Sequence, residues 1–318
     1  MQVKFRVDAG NQIGLGHLIR CLSIVQILRR KSIDCLFFIR QTDESIYDHV
    51  RKESASVLVL NDDNHFFHYL DKEDFVIMDG YHFDASYEFR VKERIRRLIT
   101  IDDLLGRHFY ADVIINHTPG INAALYNKED YARVYTGQNY CLLRDAFFTS
   151  VPRQAEAAPV VLKEGILCLG GADPGNQTLS ILKSLIKTSP AVSLNVVVGS
   201  SYRHLESLIE LTNRFTQINY YVNLDVHSLI ALIQRTDFAV VSASTISLEC
   251  LYLRIPTYLV KTAENQDTNY QYLLKNGLAA SYIDFGKYSF QIGNAMLKKQ
   301  SEFFVGDIRM NIENAILS

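Results

Sequence analysis

A histidine in a glycine-rich turn is the residue of this sequence best suited to chemistry. Gly14, Gly16 and His17 follow a short apolar run that ends at Val7, and an amphipathic run comes after them. Glycines allow a tight turn and let a second molecule approach the backbone closely. The N-terminus of the next helix presents unpaired N–H groups and partial positive charge, which suits an anionic ligand. Because Ile19 stands where the pattern Gly-x-Gly-x-x-Gly needs its third glycine, the turn indicates a reacting group instead of a dinucleotide site.

A carboxylate at the end of the preceding strand is the expected partner of this histidine. Arg6 and Asp8 lie two residues apart, so their side chains point to the same face of the strand. Positive charge at a helix N-terminus disfavours a protonated His17, whereas a neighbouring Asp8 favours one. A histidine balanced in this way is suited to act as a general base near neutral pH. The alternative is that His17 only hydrogen-bonds within the turn, and the glycine context favours the catalytic interpretation.

Two further strand ends in the first half carry polar side chains. Asp79 and Tyr81 follow one strand, so we expect a carboxylate and a phenol at the same rim, and Tyr81 is the third catalytic candidate. Asp102 and Asp103 follow the next strand, where capping of the turn by Asp103 is favoured because no third ligand at metal spacing follows. The other groups of acidic and histidine side chains fit exposed loops, so no metal site is predicted.

Glycine-rich and hydroxyl-rich turns in the second half suit a phosphate group. Gly171 and Asp173 lie in one turn between a strand and a helix, and Ser200 lies in a second. Such turns often serve only tight packing, but two at successive strand ends favour a diphosphate or nucleotide site. Ser244 and Thr245 open a later helix, where hydroxyl groups can bind phosphate oxygens.

A carboxylate and a group of amides complete this expected nucleotide site. Glu249 lies in the helix that Ser244 opens, and an inward carboxylate can accept two vicinal ribose hydroxyls. The alternative is a simple helix cap with an acidic first turn, worth about 1 kcal/mol. Asn265, Gln266 and Asn269 enter the next helix, and their amides suit sugar hydroxyls and N-acyl groups.

Alternating strands and helices must position these residues. We predict strands at 4–7, 35–39, 57–60, 75–79, 98–101, 113–116, 165–169, 193–198, 218–222, 238–242, 257–260 and 280–283. We predict helices at 17–30, 44–52, 66–70, 86–95, 177–187, 203–213, 226–234, 247–253, 268–275 and 288–298. Continuous apolar strands separated by helices are typical of parallel sheets covered on both faces.

The predicted fold class is α/β, with two doubly wound Rossmann-like domains that face each other across a cleft. The first covers 1–150 and carries the histidine turn, and the second covers 151–318 and binds the nucleotide. A proline- and alanine-containing segment at 151–163 is the expected linker, and the last segment, 303–317, is expected to pack back across the junction. Ligands in such sheets bind beyond the carboxyl ends of the strands.

Composition limits the classes of function. The 318 residues carry 33 Lys and Arg against 35 Asp and Glu, and the net charge of −2 argues against nucleic acid as a partner. No run approaches the roughly 20 apolar residues of a membrane span, and the first residues lack a signal-peptide pattern. Five scattered cysteines are typical of reduced thiols in a cytosolic protein. We expect a cytoplasmic protein without a cofactor, and the oligomeric state stays open, with a monomer compatible.

Together these motifs resemble the GT-B nucleotide-sugar superfamily, and within it the PseG-like UDP-sugar hydrolases of pseudaminic acid biosynthesis. The N-terminal matches are Arg6-x-Asp8, Gly14-x-Gly16-His17-x-x-Arg20, Asp79-x-Tyr81, Ile101-Asp102-Asp103 with Ala111-Asp112, and Leu142-Leu143-Arg144. The C-terminal matches are Gly170-Gly171-x-Asp173, the Ser/Thr segment through Glu249, and Glu264-Asn265-Gln266. The N-terminal set is specific to these hydrolases, and the C-terminal set is shared with the lipid-linked N-acetylglucosaminyltransferase MurG.

The resemblance implies an enzyme that releases UDP from a 2,4-diacetamido-2,4,6-trideoxyhexose, with water as acceptor and inversion at the anomeric carbon. It implies that His17 activates the water, that Glu249 holds the ribose, and that Val226 and Leu229 border the uracil. Because UDP is a stable leaving group, charge stabilisation and a base suffice without a metal. The candidate substrate-binding residues are Gly14, Gly16, Arg20, Gly171, Asp173, Ser200, Val226, Leu229, Ser244, Thr245, Glu249, Asn265, Gln266 and Asn269.

Two other functions stay open. A MurG-like glycosyltransferase would bring an alcohol to the same carbon, and one that uses a membrane acceptor would want an apolar and basic patch in the N-terminal loops. The sequence offers no such patch, which favours water. A non-catalytic nucleotide-sugar binder is disfavoured because binding alone needs no base beside Asp8.

Two positions depart from the family pattern. Ser244 and Arg254 stand where the family has glycine. Ser244 is expected to narrow the phosphate loop, and Arg254 predicts a turn with negative φ, since left-handed backbone favours glycine. These departures bear on which sugar the protein binds more than on whether the nucleotide is UDP.

Overall fold

The structure is a computed structural model that describes residues 2–10, 15–40, 47, 50–53, 55–154, 162–171, 173–286 and 291–318, without the side chains of 291–293. The candidate residue Gly14 lies outside the described residues, as do most of the helix predicted at 44–52 and the middle of the predicted linker. The chain forms two compact units. Unit 1 comprises Met1–Asp145 with Gly306–Ser318, and unit 2 comprises Ala146–Val305.

A parallel sheet forms the centre of unit 1. Its strands and a small separate pair are β1 (Gln2–Val7), β2 (Asp34–Arg40), β3 (Ser56–Leu60), β4 (Phe75–Asp79), β5 (Arg97–Ile101), β6 (His108–Phe109), β7 (Val113–Asn116), β8 (Asn127–Lys128) and β9 (Arg133–Thr136). Among the described residues, seven of these strands lie in the order β3-β2-β1-β4-β5-β7-β9, and β6 pairs with β8. The chain reverses its direction of winding between β1 and β4, and such a switch point is where α/β sheets bind ligands.

Unit 2 repeats this architecture. Its strands are β10 (Glu164–Cys168), β11 (Ser193–Val198), β12 (Ile218–Val222), β13 (Phe238–Ser242), β14 (Thr257–Val260) and β15 (Ala280–Ser281). In the described part of the chain these six parallel strands lie in the order β12-β11-β10-β13-β14-β15. The switch point of unit 2 therefore lies between β10 and β13.

Helices connect the strands of both units. They are α1 (Gly16–Arg29), α2 (Ala85–Lys92), α3 (Asp145–Phe148), α4 (Gln177–Thr188), α5 (Leu205–Thr212), α6 (Val226–Arg235), α7 (Thr245–Tyr252), α8 (Asp267–Lys275), α9 (Gln291–Phe303) and α10 (Ile308–Leu317). Over the described ranges, none of these helices combines the length and apolar character needed to span a bilayer.

Most predicted strands are confirmed, because continuous apolar runs such as that of β13 are buried along their whole length. Two predictions were wrong, and one strand of the main sheet of unit 1 was missed. The helix predicted at 66–70 is a 3₁₀ helix over Asn64–Tyr69, a geometry that short segments commonly adopt. The strand predicted at 280–283 stops at Ser281, whose side chain accepts a hydrogen bond from the backbone N–H of Ile283. The edge strand β9 was missed because its sequence Arg-Val-Tyr-Thr is short and only partly buried.

The last helix, α10, belongs to unit 1. It begins after Asp307, whose carboxylate accepts a hydrogen bond from the backbone N–H of Met310 at 3.1 Å and caps the helix. Arg97 at the start of β5 donates to the carbonyl groups of Ala315, at 3.2 Å, and Ser318. Glu313 pairs with Lys31 at 3.0 Å. The segment predicted as one element, 303–317, is thus the end of α9 followed by α10.

Candidate active site

The histidine predicted as the base lies in the first turn of α1. Leu15 occupies the N-cap position and supplies no side-chain hydrogen bond to the helix start. His17 and Arg20 are each only 6% exposed, one helical turn apart on the same side of α1. Two polar side chains buried together in this way need partners, since an unpaired buried polar group is costly.

Asp79 is the partner of both side chains. It ends β4 and is 0% exposed. Nδ1 of His17 lies 2.7 Å from Oδ1 of Asp79. Nδ1 also lies 2.9 Å from Nη2 of Arg20, which only donates. The shorter contact is with the Asp79 carboxylate, which only accepts when ionised, so it assigns the hydrogen to Nδ1, and in the neutral ring Nε2 holds the lone pair of a base.

Arg20 holds the ionised form of this carboxylate in place. Its Nε donates to Oδ2 of Asp79 at 2.5 Å, its Nη2 donates to Oδ1 at 2.6 Å, and its Nη1 donates to Oδ2 of Asp103 at 2.9 Å. Burial alone would raise the pKa of Asp79, but Arg20 and His17 outweigh burial and hold that pKa below its ordinary value. Burial would likewise lower the pKa of Arg20, but Asp79 and Asp103 raise it.

Tyr81 closes the outer side of this cluster. Its hydroxyl donates to Oδ2 of Asp103 at 2.9 Å. Its ring meets the His17 ring edge to face, with the ring centroids 4.5 Å apart. With 52% of its surface exposed, Tyr81 is the member of the cluster best placed to meet a ligand.

The carboxylate expected beside His17 was wrongly assigned. Asp8 accepts hydrogen bonds from Arg6 at 2.6 Å and from the backbone N–H of Arg40 at 2.7 Å, and it pairs with His82 at 2.9 Å. In the sheet, Val7 is the register partner of Asp79. Side chains alternate between faces along a strand, so Asp8 points away from the face that Asp79 shares with Val7 and α1.

The turn after β5 is capped by the other of its two carboxylates. Asp102 caps the turn, where it accepts from the backbone N–H groups of Leu104 at 3.3 Å and Leu105 at 3.0 Å. Asp103, which was expected to cap, instead binds Arg20 and Tyr81. The reason is alternation again, since neighbouring residues leaving a strand point in opposite directions.

His117, at the end of β7, is a buried polar residue that the sequence argument missed. It is 6% exposed. Burial, followed by the positive charge of Arg20, lowers the pKa of His117 to about 4, so the ring is neutral at pH 7. The signal that could have identified it is its position directly after the apolar run of β7, at the same end of the sheet as Asp79 and Asp103.

Unit 2 brings the predicted glycine turns together. A Cβ atom at Gly199 would lie 2.5 Å from the carbonyl oxygen of Gly171, so glycine at 199 is required for the two turns to pack. The carboxylate of Asp173 accepts from the backbone N–H groups of Gln177 at 3.0 Å and Thr178 at 2.7 Å. Asp173 therefore caps α4. The neighbouring candidate Ser200 is exposed.

The start of α7 carries the predicted hydroxyl groups. Oγ of Ser244 lies 2.8 Å from Oγ of Ser242, and Ser244 supplies no side-chain cap to the helix. Its φ of −115° is accessible to any L-residue, so this position does not require the glycine of the family pattern. Thr245 is half-buried beside it, and Glu249, one turn further along, is 3% exposed.

The amides before and within α8 are partly engaged inside unit 2. Asn269 is buried and donates to the carbonyl of Ala243 at 2.9 Å, which ties α8 to the turn before α7. Gln266 accepts from the backbone N–H of Thr262 at 2.9 Å. Asn265 is exposed. In α6, Leu229 is buried and Val226 is half-buried.

The turn after α7 corrects the expectation for Arg254. Its φ is +58°, not negative. The backbone N–H of Arg254 bonds to the carbonyl of Leu251 at 3.0 Å, and that of Ile255 bonds to the carbonyl of Cys250 at 3.1 Å. This pair of hydrogen bonds is the Schellman motif, which requires a left-handed residue after the helix whatever its type.

One group of side chains in the described residues has the spacing of metal ligands. Asp8, Asp63 and His82 place ligand atoms within 4.8 Å of one another. Arg6 already donates to Asp63 at 2.6 Å as well as to Asp8, so its guanidinium supplies positive charge between the two carboxylates. That position suits a structural ion pair better than a metal.

The two doubly wound parallel sheets define an α/β protein of the GT-B-like class, as the sequence predicted. Among solved structures, MurG from Acinetobacter baumannii matches with a TM-score of 0.61 at 12% identity, covering 99% of each chain. The sequence is 25% identical over 288 residues to the UDP-2,4-diacetamido-2,4,6-trideoxy-beta-L-altropyranose hydrolase of Campylobacter jejuni, covering 89% of this chain and 99% of that one. The resemblance seen in the motifs is thereby confirmed.

A second relative is longer. An uncharacterised protein of Methanocaldococcus jannaschii is 25% identical over 285 residues, which are 86% of this chain but 58% of that protein. The chain thus spans little more than half the length of this relative. No model of a known protein family matches the chain.

Proposed function

We propose that the protein is a nucleotide-sugar hydrolase that releases UDP from a UDP-linked 2,4-diacetamido-2,4,6-trideoxyhexose. The observation that carries the proposal is the His17–Asp79 hydrogen bond of 2.7 Å, which leaves Nε2 of a buried imidazole as a base. The similarity to the Campylobacter hydrolase, which extends over 89% of the chain, supports the choice of substrate.

The charges around His17 fit the reacting sugar better than the diphosphate. Arg20 carries one positive charge, and Asp79 and Asp103, which both accept hydrogen bonds from it, carry two negative charges. With a neutral imidazole the cluster is negative by one charge. Such a cluster repels a diphosphate, but it stabilises the positive charge that develops on a sugar ring as its glycosidic bond breaks.

The nucleotide is assigned to unit 2. The hydroxyl groups at the start of α7 and the N–H groups of its first turn suit phosphate oxygens. The buried carboxylate of Glu249 suits the ribose hydroxyls, and Val226 and Leu229 offer an apolar border for the uracil. Asn269 supports the phosphate site indirectly, since it holds the backbone of Ala243.

In the proposed reaction, Nε2 of His17 takes a proton from water while the water oxygen bonds to the anomeric carbon. The bond between that carbon and the phosphate oxygen breaks, and its electron pair leaves with UDP. Asp79 keeps the imidazole in the correct tautomer and stabilises the imidazolium that forms. Attack from the face opposite UDP inverts the configuration.

The test is to incubate the protein with UDP-linked diacetamido sugars and UDP-N-acetylglucosamine and to follow UDP release by NMR in ¹⁸O-labelled water. The proposal expects ¹⁸O on the sugar, an inverted anomer as first product, and a preference for the diacetamido sugar. Label in the UDP, retention, or the absence of turnover would contradict it.

The fold likeness to MurG keeps a glycosyltransferase as the second candidate. A transferase would release UDP slowly in water alone and faster when an alcohol acceptor is added. Hydrolysis at an unchanged rate in the presence of sugar and lipid acceptors would favour the hydrolase.

A further inference from the structure

Tyr81 and His82 are neighbours in the chain, yet their side chains enter two different clusters. Tyr81 contacts His17 and Asp103 on one side of the sheet end. His82 pairs with Asp8, whose side chain points to the other side. The short loop 80–83 therefore joins two clusters. One is the active-site cluster around His17, Asp79 and Asp103, and the other is the Arg6–Asp8 cluster, formed by these two side chains.

Hydrogen bonds in the Arg6–Asp8 cluster hold the carboxylate of Asp8 in one position. Arg6 is fully buried and donates to both oxygens of Asp8, at 2.6 and 3.0 Å. The backbone N–H of Arg40 adds a third hydrogen bond to Asp8 at 2.7 Å. Because an ionised Asp8 only accepts, Nε2 of His82 must donate to it across the 2.9 Å that separate them. The loop thus attaches to a carboxylate that Arg6 and Arg40 already hold with three hydrogen bonds.

The loop itself is closely packed. Phe83 is buried, and the guanidinium carbon of Arg6 lies 4.7 Å from the centre of its ring. A Cβ at Gly80 would lie 2.9 Å from the Phe83 ring and 3.0 Å from the His82 ring, so glycine lets both rings close over the backbone. With His82 and Phe83 held, the direction in which Tyr81 leaves the loop is fixed.

We propose that Asp8 is a positioning residue: through His82 it fixes the loop 80–83 and so holds the Tyr81 ring against His17. The kinetic part of this proposal rests on the proposed function, because it takes His17 as the base. Asp8 was expected to act on His17 directly. It instead lies on the other face of the sheet and acts on His17 through His82 and Tyr81.

A double-mutant cycle tests whether His82 acts through Tyr81. His82→Ala is expected to lower kcat about 10- to 100-fold, the scale that small misplacements of catalytic groups produce. In a Tyr81→Ala background the same change should lower kcat less than twofold further. His82→Gln, whose amide nitrogen can replace Nε2 as donor, should recover most of the loss. Full, multiplicative losses in the double variant would overturn the proposal.

A second readout does not depend on turnover. With ¹³C-labelled histidine, the His17 ring resonance, assigned by its loss in His17→Asn, reports the ring current of Tyr81. His82→Ala and Asp8→Asn should each shift this resonance toward its position in Tyr81→Ala, while the exposed His68→Ala should leave it in place. An unmoved resonance in His82→Ala, with circular dichroism and the thermal midpoint showing a folded protein, would overturn the proposal even if the enzyme's reaction is another one. If His82→Ala does not fold, His82→Gln and Asp8→Asn carry the same comparison.

Discussion

His17 and Asp79 come from elements 62 residues apart in sequence, and their side chains meet at 2.7 Å in a fully buried hydrogen bond. Asp79 also receives two hydrogen bonds from Arg20, so the carboxylate is fixed before any substrate binds. This arrangement orients an imidazole and sets its tautomer, which are the two requirements for a general base.

Removal of the base should slow turnover without weakening the binding of UDP. We expect His17→Asn to lower kcat about 10²- to 10⁴-fold, the range for loss of general base catalysis, because no other group takes the proton from water. UDP affinity, measured by titration calorimetry, should stay the same, since the nucleotide is assigned to unit 2. The acidic limb of the pH–rate profile should also disappear. Wild-type turnover in a folded His17→Asn variant would remove this residue from the reaction.

Asp79→Asn should test the role of the His17 tautomer separately from the loss of the imidazole itself. The amide keeps the size of the side chain but can donate to Nδ1, which would place the imidazole hydrogen on Nε2 and block the base. Loss of a buried carboxylate from such a pair costs up to about 10⁴-fold in kcat elsewhere. Steady-state kinetics with UDP-sugar should show a fall in kcat that approaches that of His17→Asn. Glu88→Gln, which removes a buried carboxylate that binds Thr100 and Arg107 outside both clusters, is the matched control. Similar losses in both variants would indicate general destabilisation.

Glu249→Gln and Glu249→Ala should weaken UDP binding. A buried carboxylate that accepts ribose hydroxyls contributes about 1.5–3 kcal/mol, the range for hydrogen bonds to a charged group. Calorimetry with UDP and with 2′-deoxy-UDP should show that the variants lose most of the preference for the ribose hydroxyl. Equal affinities of wild type and variants for UDP would place the ribose elsewhere.

Arg254→Gly should stabilise the protein. At φ +58° an L-residue carries a cost that glycine lacks, and the Schellman hydrogen bonds at the end of α7 use only backbone groups. We expect the free energy of unfolding to rise by about 0.5–1 kcal/mol. Arg254→Ala removes the same side chain but keeps the strain, so denaturant midpoints should rise in the first variant and not in the second. A gain in both would assign the effect to the charge of Arg254.

Asp8 should make the fold sensitive to acid. Burial would raise the pKa of Asp8, but its hydrogen bonds with His82 and Arg6 outweigh burial and lower that pKa. A folded-state pKa below that of the unfolded chain, about 3.9, stabilises the fold above pH 4, and this contribution is lost as the pH falls further. Asp8→Asn should therefore be less stable at pH 7 and should lose less stability between pH 5 and pH 3. Urea unfolding across this range measures both effects, and parallel pH dependences would contradict the assignment.

The sequence predicts the sheets well because their strands are continuous apolar runs. It predicts which side chains lie near the carboxyl ends of the strands, including His17 and Tyr81, because parallel strands share that end. It does not predict which carboxylate meets His17. That choice depends on the register of β1 against β4, and two strands and their connections separate these partners along the chain. A shift of β1 by one residue would bring Asp8 to the face of the sheet on which Asp79 lies.

The assignment of α10 to unit 1 has a consequence for biosynthesis. About 160 residues of unit 2 separate the first part of unit 1 from Gly306–Ser318. At roughly 5–20 residues per second, synthesis of this segment takes about 10–30 s. Only after it can Arg97 bind the carbonyl groups at the end of α10. Unit 2 is continuous in sequence and can fold as soon as it emerges. We therefore expect unit 1 to complete its folding after unit 2, although synthesis of unit 1 begins first. Until α10 has been made, unit 1 is the part of the chain that most needs chaperones.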